Sequence, residues 1–313
     1  MTRPIDILGL GAVAVDDLLY VPAYPPADSK VQVERRERHC GGLTATALVA
    51  ASRLGARCAY AGTLGDDELS CFARRRLVEE GIDLTHTRQL PAARPVHSTI
   101  VVDQAAQTRT ILFSCDGFLG AVPEWPADEV VASCRVLFVD HLGVPGMLRA
   151  ARVARPHGIP VVADLENDDH PRFAELLAEV DHLIVSQGFA LRLTGCPAPA
   201  AAAQALWTAG RAAVVVTCGA AGCWYIAQDE PAHVRHQPAF RVPVVDTTGC
   251  GDVFHGAYAA ALVRPMDLAA RVQFAAAAAA LKATQAGGQA GIPRYEAVAE
   301  FLNSIPGERR RHS

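Results

Sequence analysis

Short apolar runs alternate with amphipathic stretches along most of this chain, and that alternation restricts its fold more than any other feature. Strands are expected at 5–8, 57–61, 136–139, 160–163, 183–185 and 214–217. Helices are expected at 43–54, 67–80, 145–157, 171–179, 198–209, 253–263, 267–284 and 295–303, where apolar residues recur at helical spacing. Strand–helix alternation on this scale predicts a largely parallel sheet with helices on both faces. Ligands of such sheets gather beyond the carboxyl ends of the strands. With 313 residues, half of them hydrophobic, the chain is long and apolar enough to fold around a large core as one α/β domain.

One turn between a strand and a helix carries chemistry. Val244-Val245-Asp246-Thr247-Thr248-Gly249-Cys250-Gly251-Asp252 runs from β-branched residues into a turn of Gly, Thr and Asp. Beyond it Phe254, Ala257, Tyr258, Ala261 and Leu262 follow a helical period. Gly249 and Gly251 have no side chain to keep a ligand away, so the N–H groups of Gly249, Cys250 and Gly251 can face one anion, with the positive end of the helix dipole behind them. Asp252 stands beside that anion hole. It is either an N-cap or a proton acceptor, and the neighbouring Asp-Thr-Thr and glycines favour the acceptor. Fixed N–H donors plus a carboxylate base suit phosphoryl transfer to a hydroxyl.

This turn resembles the C-terminal signature of the ribokinase-like (PfkB) carbohydrate kinases, D-T-T-G-A-G-D-x-F-x-x-G, with Cys250 in place of the usual Ala. The resemblance implies an α/β fold, a three-layer sandwich with a mostly parallel central sheet, and a small β-sheet lid. It also implies ATP with Mg2+ as cofactors, Asp252 as general base, and Gly249, Cys250 and Gly251 as the anion hole. Cys250 contributes its backbone there, and its thiol is expected to pack as a small hydrophobe. The lid is expected from about 13–40 and 96–113, where extended, proline-bearing or alternating runs break the strand–helix pattern, within a single kinase domain spanning 1–313. In the resembled family such lids cover the sugar and often pair, which implies a homodimer.

Further residues follow from the same resemblance. Asp16 matches the sugar-binding aspartate, a carboxylate able to accept from two vicinal hydroxyls. Gly41 and Gly42 match the glycine pair ahead of the first long helix, with Thr46 where the family usually has Asn. Thr217, Gly219 and Gly222 match a T-x-G-x-x-G segment at the nucleotide. A monovalent cation, potassium, is implied at Asp246, Thr248, Gln285, Gly287 and Gly291, and Lys282 lies nearby. The family's N-x-x-E element should fall at Ser186-Gln187-Gly188-Phe189, and both diagnostic residues are missing. Asp164 and Glu166 are the substitutes offered for magnesium, since Mg2+ takes oxygen ligands and bridging waters; the alternative is a metal held almost wholly by ATP.

Within the family the closest likeness is to bacterial sulfofructose kinases, which places the transferred phosphate on a primary hydroxyl of a ketose or furanose. A sulfonated substrate would require a cation, for which Lys30, Arg94 and Arg109 are candidates. Asp140-His141-Leu142-Gly143, however, offers no arginine, so a neutral ketose, a pentose (as for a ribokinase) or a nucleoside stays open. A catalytically silent sugar-binding protein is the reading of another class, suggested by the lost N-x-x-E and by Thr46. Gly9-Leu10-Gly11-Ala12-Val13-Ala14 nearly imitates a dinucleotide fingerprint, but prolines and extended runs follow where its helix should run.

Charge and cysteine usage bear on partners. A net charge of -4 gives no electrostatic reason for nucleic-acid binding, and Arg309-Arg310-Arg311 reads as a solvated tail. No apolar run suits a membrane span or a secretory signal. The 9 cysteines, an odd number without C-x-x-C pairs, point to reduced thiols and a cytoplasmic setting. The expected partners are therefore a small sugar and ATP.

Overall fold

The computed structural model describes residues 3–106 and 108–305. The tail arginines and Gln107 lie outside the described residues. In chain order the first part holds β1 (Ile5–Leu10), β2 (Ala14–Val21), β3 (Arg35–Gly41), α1 (Leu43–Arg53), β4 (Cys58–Tyr60), β5 (Thr63–Leu64), α2 (Glu68–Glu79), β6 (Arg88–Gln89), β7 (Val96–Asp103) and β8 (Thr108–Ser114). The middle holds α3 (Asp128–Ala132), β9 (Cys134–Val139), α4 (Val144–Ala154), β10 (Val161–Asp164), α5 (Phe173–Ala178), β11 (His182–Ser186), α6 (Gln187–Thr194), α7 (Pro199–Leu206) and β12 (Ala213–Thr217). The chain then forms β13 (Cys223–Ala227), β14 (Arg235–Gln237), α8 (Cys250–Leu262), α9 (Leu268–Ala283) and α10 (Tyr295–Ser304).

The large sheet has eight strands in the order β14-β13-β12-β11-β10-β9-β1-β4. From β12 to β4 neighbouring strands are parallel, and β13 and β14 add an antiparallel edge. The period of two along each strand divides the core. Ile7, Val136, Phe138, Val162, Ile184 and Val215 face a layer with α1, α8 and α9. Leu8, Leu137, Val139, Val161, Leu183 and Val214 face the opposite layer with α4, α5 and α7. Both faces are covered, which is why these strands read as nearly continuous apolar runs.

The extended segments that break the alternation form a separate four-stranded sheet, β3-β2-β7-β8. Here β2 is the bridge: it pairs antiparallel with β3 and parallel with β7, so Asp16 lies opposite both His39 and Ser98. The sheet joins the body at Gly41 and Gly42, where Gly42 has φ of 96° and a Cβ would lie 2.7 Å from the carbonyl of Ala12. Only glycine fits there.

Several stretches depart from expectation. Val244 and Val245, read as a strand ahead of the glycine turn, form no strand and are exposed, since no neighbouring strand pairs with them. Residues 186–189, read as the place of a motif, open helix α6, with the Ser186 hydroxyl accepting from the Phe189 amide at 3.2 Å. The β13–β14 edge was not anticipated. β13 is an apolar run, whereas β14 is the polar Arg235-His236-Gln237, and Gly222, with φ of 89°, makes the turn into β13.

Candidate active site

The ends of β9, β10, β11 and β12 and the start of α8 face the same side of the large sheet. Acidic side chains collect there: Asp140 just after β9, Asp164 closing β10, Glu166 beyond it and Asp252 in the first turn of α8. Asp252 keeps part of its surface exposed. Its carboxyl is pushed well above the ordinary carboxylate range, chiefly by desolvation and then by Asp164, Glu166, Asp140 and Asp16. A carboxylate so raised is a stronger base once ionised.

Beside it, Gly249 is the residue before α8, with φ of 75°. A Cβ there would stand 2.8 Å from the Gly288 carbonyl. Of the three amides assigned to the anion hole, that of Cys250 bonds the Thr247 carbonyl at 3.2 Å. Among the described residues the amides of Gly249 and Gly251 make no backbone bond of this kind, and neither does the amide of Asp252, which sequence reasoning passed over. These are the orphan donors of a helix start. Nothing lies within 4 Å of a Cβ built on Gly251, so the space above this turn is open. The Cys250 thiol is half-buried and points to the Ala279 carbonyl at 3.5 Å, and burial pushes its pKa up, as a packed thiol requires.

His255 is one helical turn beyond Asp252 and was not singled out from the sequence. Its Nδ1 lies 2.8 Å from the Gly251 carbonyl and 3.3 Å from Asp164, and its Nε2 lies 3.0 Å from the Ile184 carbonyl. Both ring nitrogens therefore face oxygen atoms of the neighbouring backbone or carboxylate. Asp164 is thus occupied by His255 and is 4% exposed. Burial raises its pKa, with His255 opposing. Glu166 is exposed, and His141 Nδ1 lies 3.4 Å from its amide nitrogen. Among the described residues no group of three or more His, Cys, Asp or Glu is arranged to hold a metal.

On the small sheet, Asp16 is raised by desolvation while Ser98 hydrogen-bonds it. A Cβ on Gly41 would stand 2.7 Å from Asp16 Oδ2, so that glycine makes room for the carboxylate. Thr46 is buried in α1, and its hydroxyl accepts from the buried Gln289 amide at 3.2 Å. Gln289 therefore uses one acceptor position of that hydroxyl, whose O–H remains able to donate. Asp140 is fully buried and accepts from the Ala12 amide at 2.6 Å, the Leu142 amide at 2.8 Å and the Thr44 hydroxyl at 2.9 Å. Its work is to hold the β1–β2 connection, since a Cβ on Gly11 would collide with it.

Two of the three cations proposed for a sulfonate are engaged by acidic partners. Arg94 pairs with Asp67 at 2.9 Å. Arg109 reaches from β8 to Asp246 at 3.1 Å and also bonds the Thr248 hydroxyl. Lys30 is exposed and has no ion pair among the described residues. On the nucleotide side, Thr217 ends β12, its hydroxyl 3.4 Å from the Val185 carbonyl, and a Cβ on Gly219 would meet nothing within 4 Å. Gly222 is structural: its Cβ would clash with the Gln237 carbonyl at 2.0 Å.

Asp246, Thr248 and the 285–291 loop do come together. Asp246 accepts from the Thr248 amide at 2.8 Å, the Thr248 hydroxyl at 2.7 Å and the Gly287 amide at 2.9 Å. Burial opposes its ionisation, but these bonds and the Lys282 charge hold it down at about 2. A Cβ on Gly291 would lie 2.7 Å from the Gln285 Cβ and 3.0 Å from the Lys282 carbonyl. The Lys282 ammonium itself donates to the Asp246 carbonyl at 2.9 Å. The chain's own ammonium thus bonds the main chain of one of the residues expected to hold potassium.

A parallel sheet capped by an open anion hole and a raised carboxylate defines a phosphotransferase-type site. The family model for pfkB family carbohydrate kinases matches residues 7–294. Ribokinase of Haemophilus influenzae is 26% identical over 305 residues, covering 94% of this chain and 97% of that protein. Deoxyribokinase of Salmonella typhi is 27% identical over 310 residues, covering 96% and 99%. The solved structure of Arabidopsis thaliana ribokinase complexed with ribose and ATP matches with a TM-score of 0.81 at 23% identity, over 97% of this chain and 100% of that one. The chain belongs to the pfkB family of carbohydrate kinases. It is a phosphotransferase with an alcohol group as acceptor, on a ribokinase-like fold.

Proposed function

We propose that this kinase transfers the γ-phosphoryl group of ATP to a primary hydroxyl of a small neutral furanose or ketose. The observation that carries this reading is Asp252, a raised and partly exposed carboxylate one residue from free helix-start amides with open space above them. Asp252 takes the acceptor proton, and the amides of Gly249 and Gly251, with the Cys250 peptide between them, stabilise charge on the moving phosphoryl oxygens. Asp16 holds the sugar hydroxyls from the small sheet, and Gly41 and Gly42 let the sugar approach the backbone. Thr217 and Gly219 flank the nucleotide. Magnesium would enter on ATP and neutralise its phosphates, with exposed Glu166 and bridging waters as its protein-side contacts.

A neutral acceptor is favoured over a sulfonated one because Arg94 and Arg109 are both paired. Ribose and 2-deoxyribose lead the candidates, given the curated relatives, with fructose next. The lid reading is supported by β8, which exposes Ile111 (48%) and Phe113 (70%) on one face and Leu112 (56%) on the other, apolar surface suited to covering by a second copy. A cytoplasmic setting accords with all 9 cysteines being unpaired. No helix among the described residues is long and apolar enough to cross a membrane.

A coupled ADP assay over ribose, 2-deoxyribose, fructose, sulfofructose and nucleosides tests the acceptor. Asp252→Asn should fold and bind ATP while turnover falls roughly a hundredfold to ten-thousandfold. Near-normal turnover in that variant would remove Asp252 from its role. Sugar binding with no ADP release from any acceptor would instead mark a silent binding protein.

A further inference from the structure

Lys282 is among the largest side chains with no exposed surface at all, although it carries a charge. It ends α9, beneath the turn that leads to the anion hole. A buried ammonium needs both an acceptor and a counter-charge. Asp246 supplies both, its carbonyl accepting the proton at 2.9 Å and its carboxylate lying close enough to act on the charge. Asp252 also acts on Lys282, so the ammonium's field reaches the base.

We infer that Lys282 supplies, from within the chain, the positive charge that this junction would otherwise draw from a monovalent cation, so that the kinase works without potassium. This rests on the kinase reading. The charge balance carries it. Asp246 is the carboxylate at the centre of the junction, and it already faces two cations, Lys282 from α9 and Arg109 from β8. A potassium ion there would be a third positive charge with no carboxylate of the junction left to balance it, next to a fixed ammonium that repels it.

The same contacts make Lys282 a positioning residue. It holds the Asp246 main chain, and the Asp246 carboxylate holds the amides of Thr248 and Gly287. Gly249, the first residue of the anion hole, follows Thr248 directly. The turn and the 285–291 loop are thereby set by one internal charge.

The test compares the whole protein in tetramethylammonium chloride and in potassium chloride at equal ionic strength, by initial rate and by thermal melting. For the natural sequence both should be the same in the two salts. Lys282→Met, which clears the ammonium but keeps an unbranched side chain, should lose roughly a hundredfold in rate without potassium, as a displaced anion hole would. Potassium should restore much of that loss and raise the variant's melting temperature, and lithium should not. Activation or selective thermal stabilisation of the natural protein by potassium would overturn the inference. So would a folded Lys282→Met that is fully active without potassium, or slow and not rescued by it. If Lys282→Met does not fold, the salt comparison on the natural protein decides alone. If no acceptor yields ADP, the kinase reading has failed, and the melting comparison still reads the cation.

Discussion

Nδ1 of His255 lies 3.3 Å from the carboxylate of Asp164, joining the helix that bears Asp252, the proposed base, to the end of the neighbouring strand. Both residues are almost fully buried, at 3% and 4% exposure. Removing one member of such a pair leaves the other without compensation. His255→Leu should therefore cost roughly 3–5 kcal/mol near neutral pH. The pH dependence has a definite sign. Burial holds the Asp164 carboxyl above its unfolded value even with His255 present. Without the histidine it is raised further, so the folded variant keeps a proton that the unfolded chain releases. Its stability deficit should be smallest in acid and grow as pH rises through the raised carboxyl, a trend urea melts at about pH 5 and about pH 8 would read.

The base itself predicts a kinetic profile. Asp252 must be ionised to accept a proton, and desolvation and its acidic neighbours raise its pKa. The acid limb of kcat/KM should therefore lie above the ordinary carboxylate range. Glu166 is exposed and is one of the charges that raise Asp252. Glu166→Gln removes a negative neighbour, which lowers the pKa of the base and should move the limb to lower pH. A limb that stays in place would detach Glu166 from the base.

Gly251 separates folding from phosphate approach. It lies inside α8, and a Cβ there meets nothing within 4 Å. Gly251→Ala should leave the melting temperature unchanged or slightly higher, since alanine favours the helix by up to about 1 kcal/mol. The methyl would nonetheless occupy the space over the anion hole. Turnover should fall while circular dichroism and melting stay native.

Gly256 gives the opposite result. A Cβ there would lie 2.1 Å from the Ala47 carbonyl in α1, a backbone contact that cannot swing aside. Gly256→Ala should destabilise by about 1–3 kcal/mol or more, through overpacking. Chemical denaturation would measure it.

How much of this was legible in the sequence differs from element to element. The six parallel strands of the large sheet were visible because both their faces are buried and their runs are largely apolar. The turn at residues 246–252 was visible because glycine, threonine and aspartate together have few structural uses. The edge strand β13 was missed although Cys223-Trp224-Tyr225-Ile226-Ala227 is an apolar run bounded by Gly222 and by Gln228-Asp229-Glu230. Lys282 read as a neighbour of the loop, yet it shares a helical face with Ala275 and Ala278, both fully buried, and that spacing signalled its burial. The pairing of His255 with Asp164, and of Gln289 with Thr46, left no local signal. Each joins residues 91 and 243 positions apart, respectively, and only the fold brings them together.

The contact between Gly256 and Ala47 has a consequence for how such a scaffold can diversify. With no side chain between them, α1 and α8 meet backbone to backbone, so the helix carrying Thr46 and the helix carrying Asp252 form one rigid jaw. A change of diet cannot be accommodated by sliding either helix. Under the proposed function, new acceptors would be fitted by redrawing the small sheet of β2, β3, β7 and β8, which lies outside the α1–α8 contact.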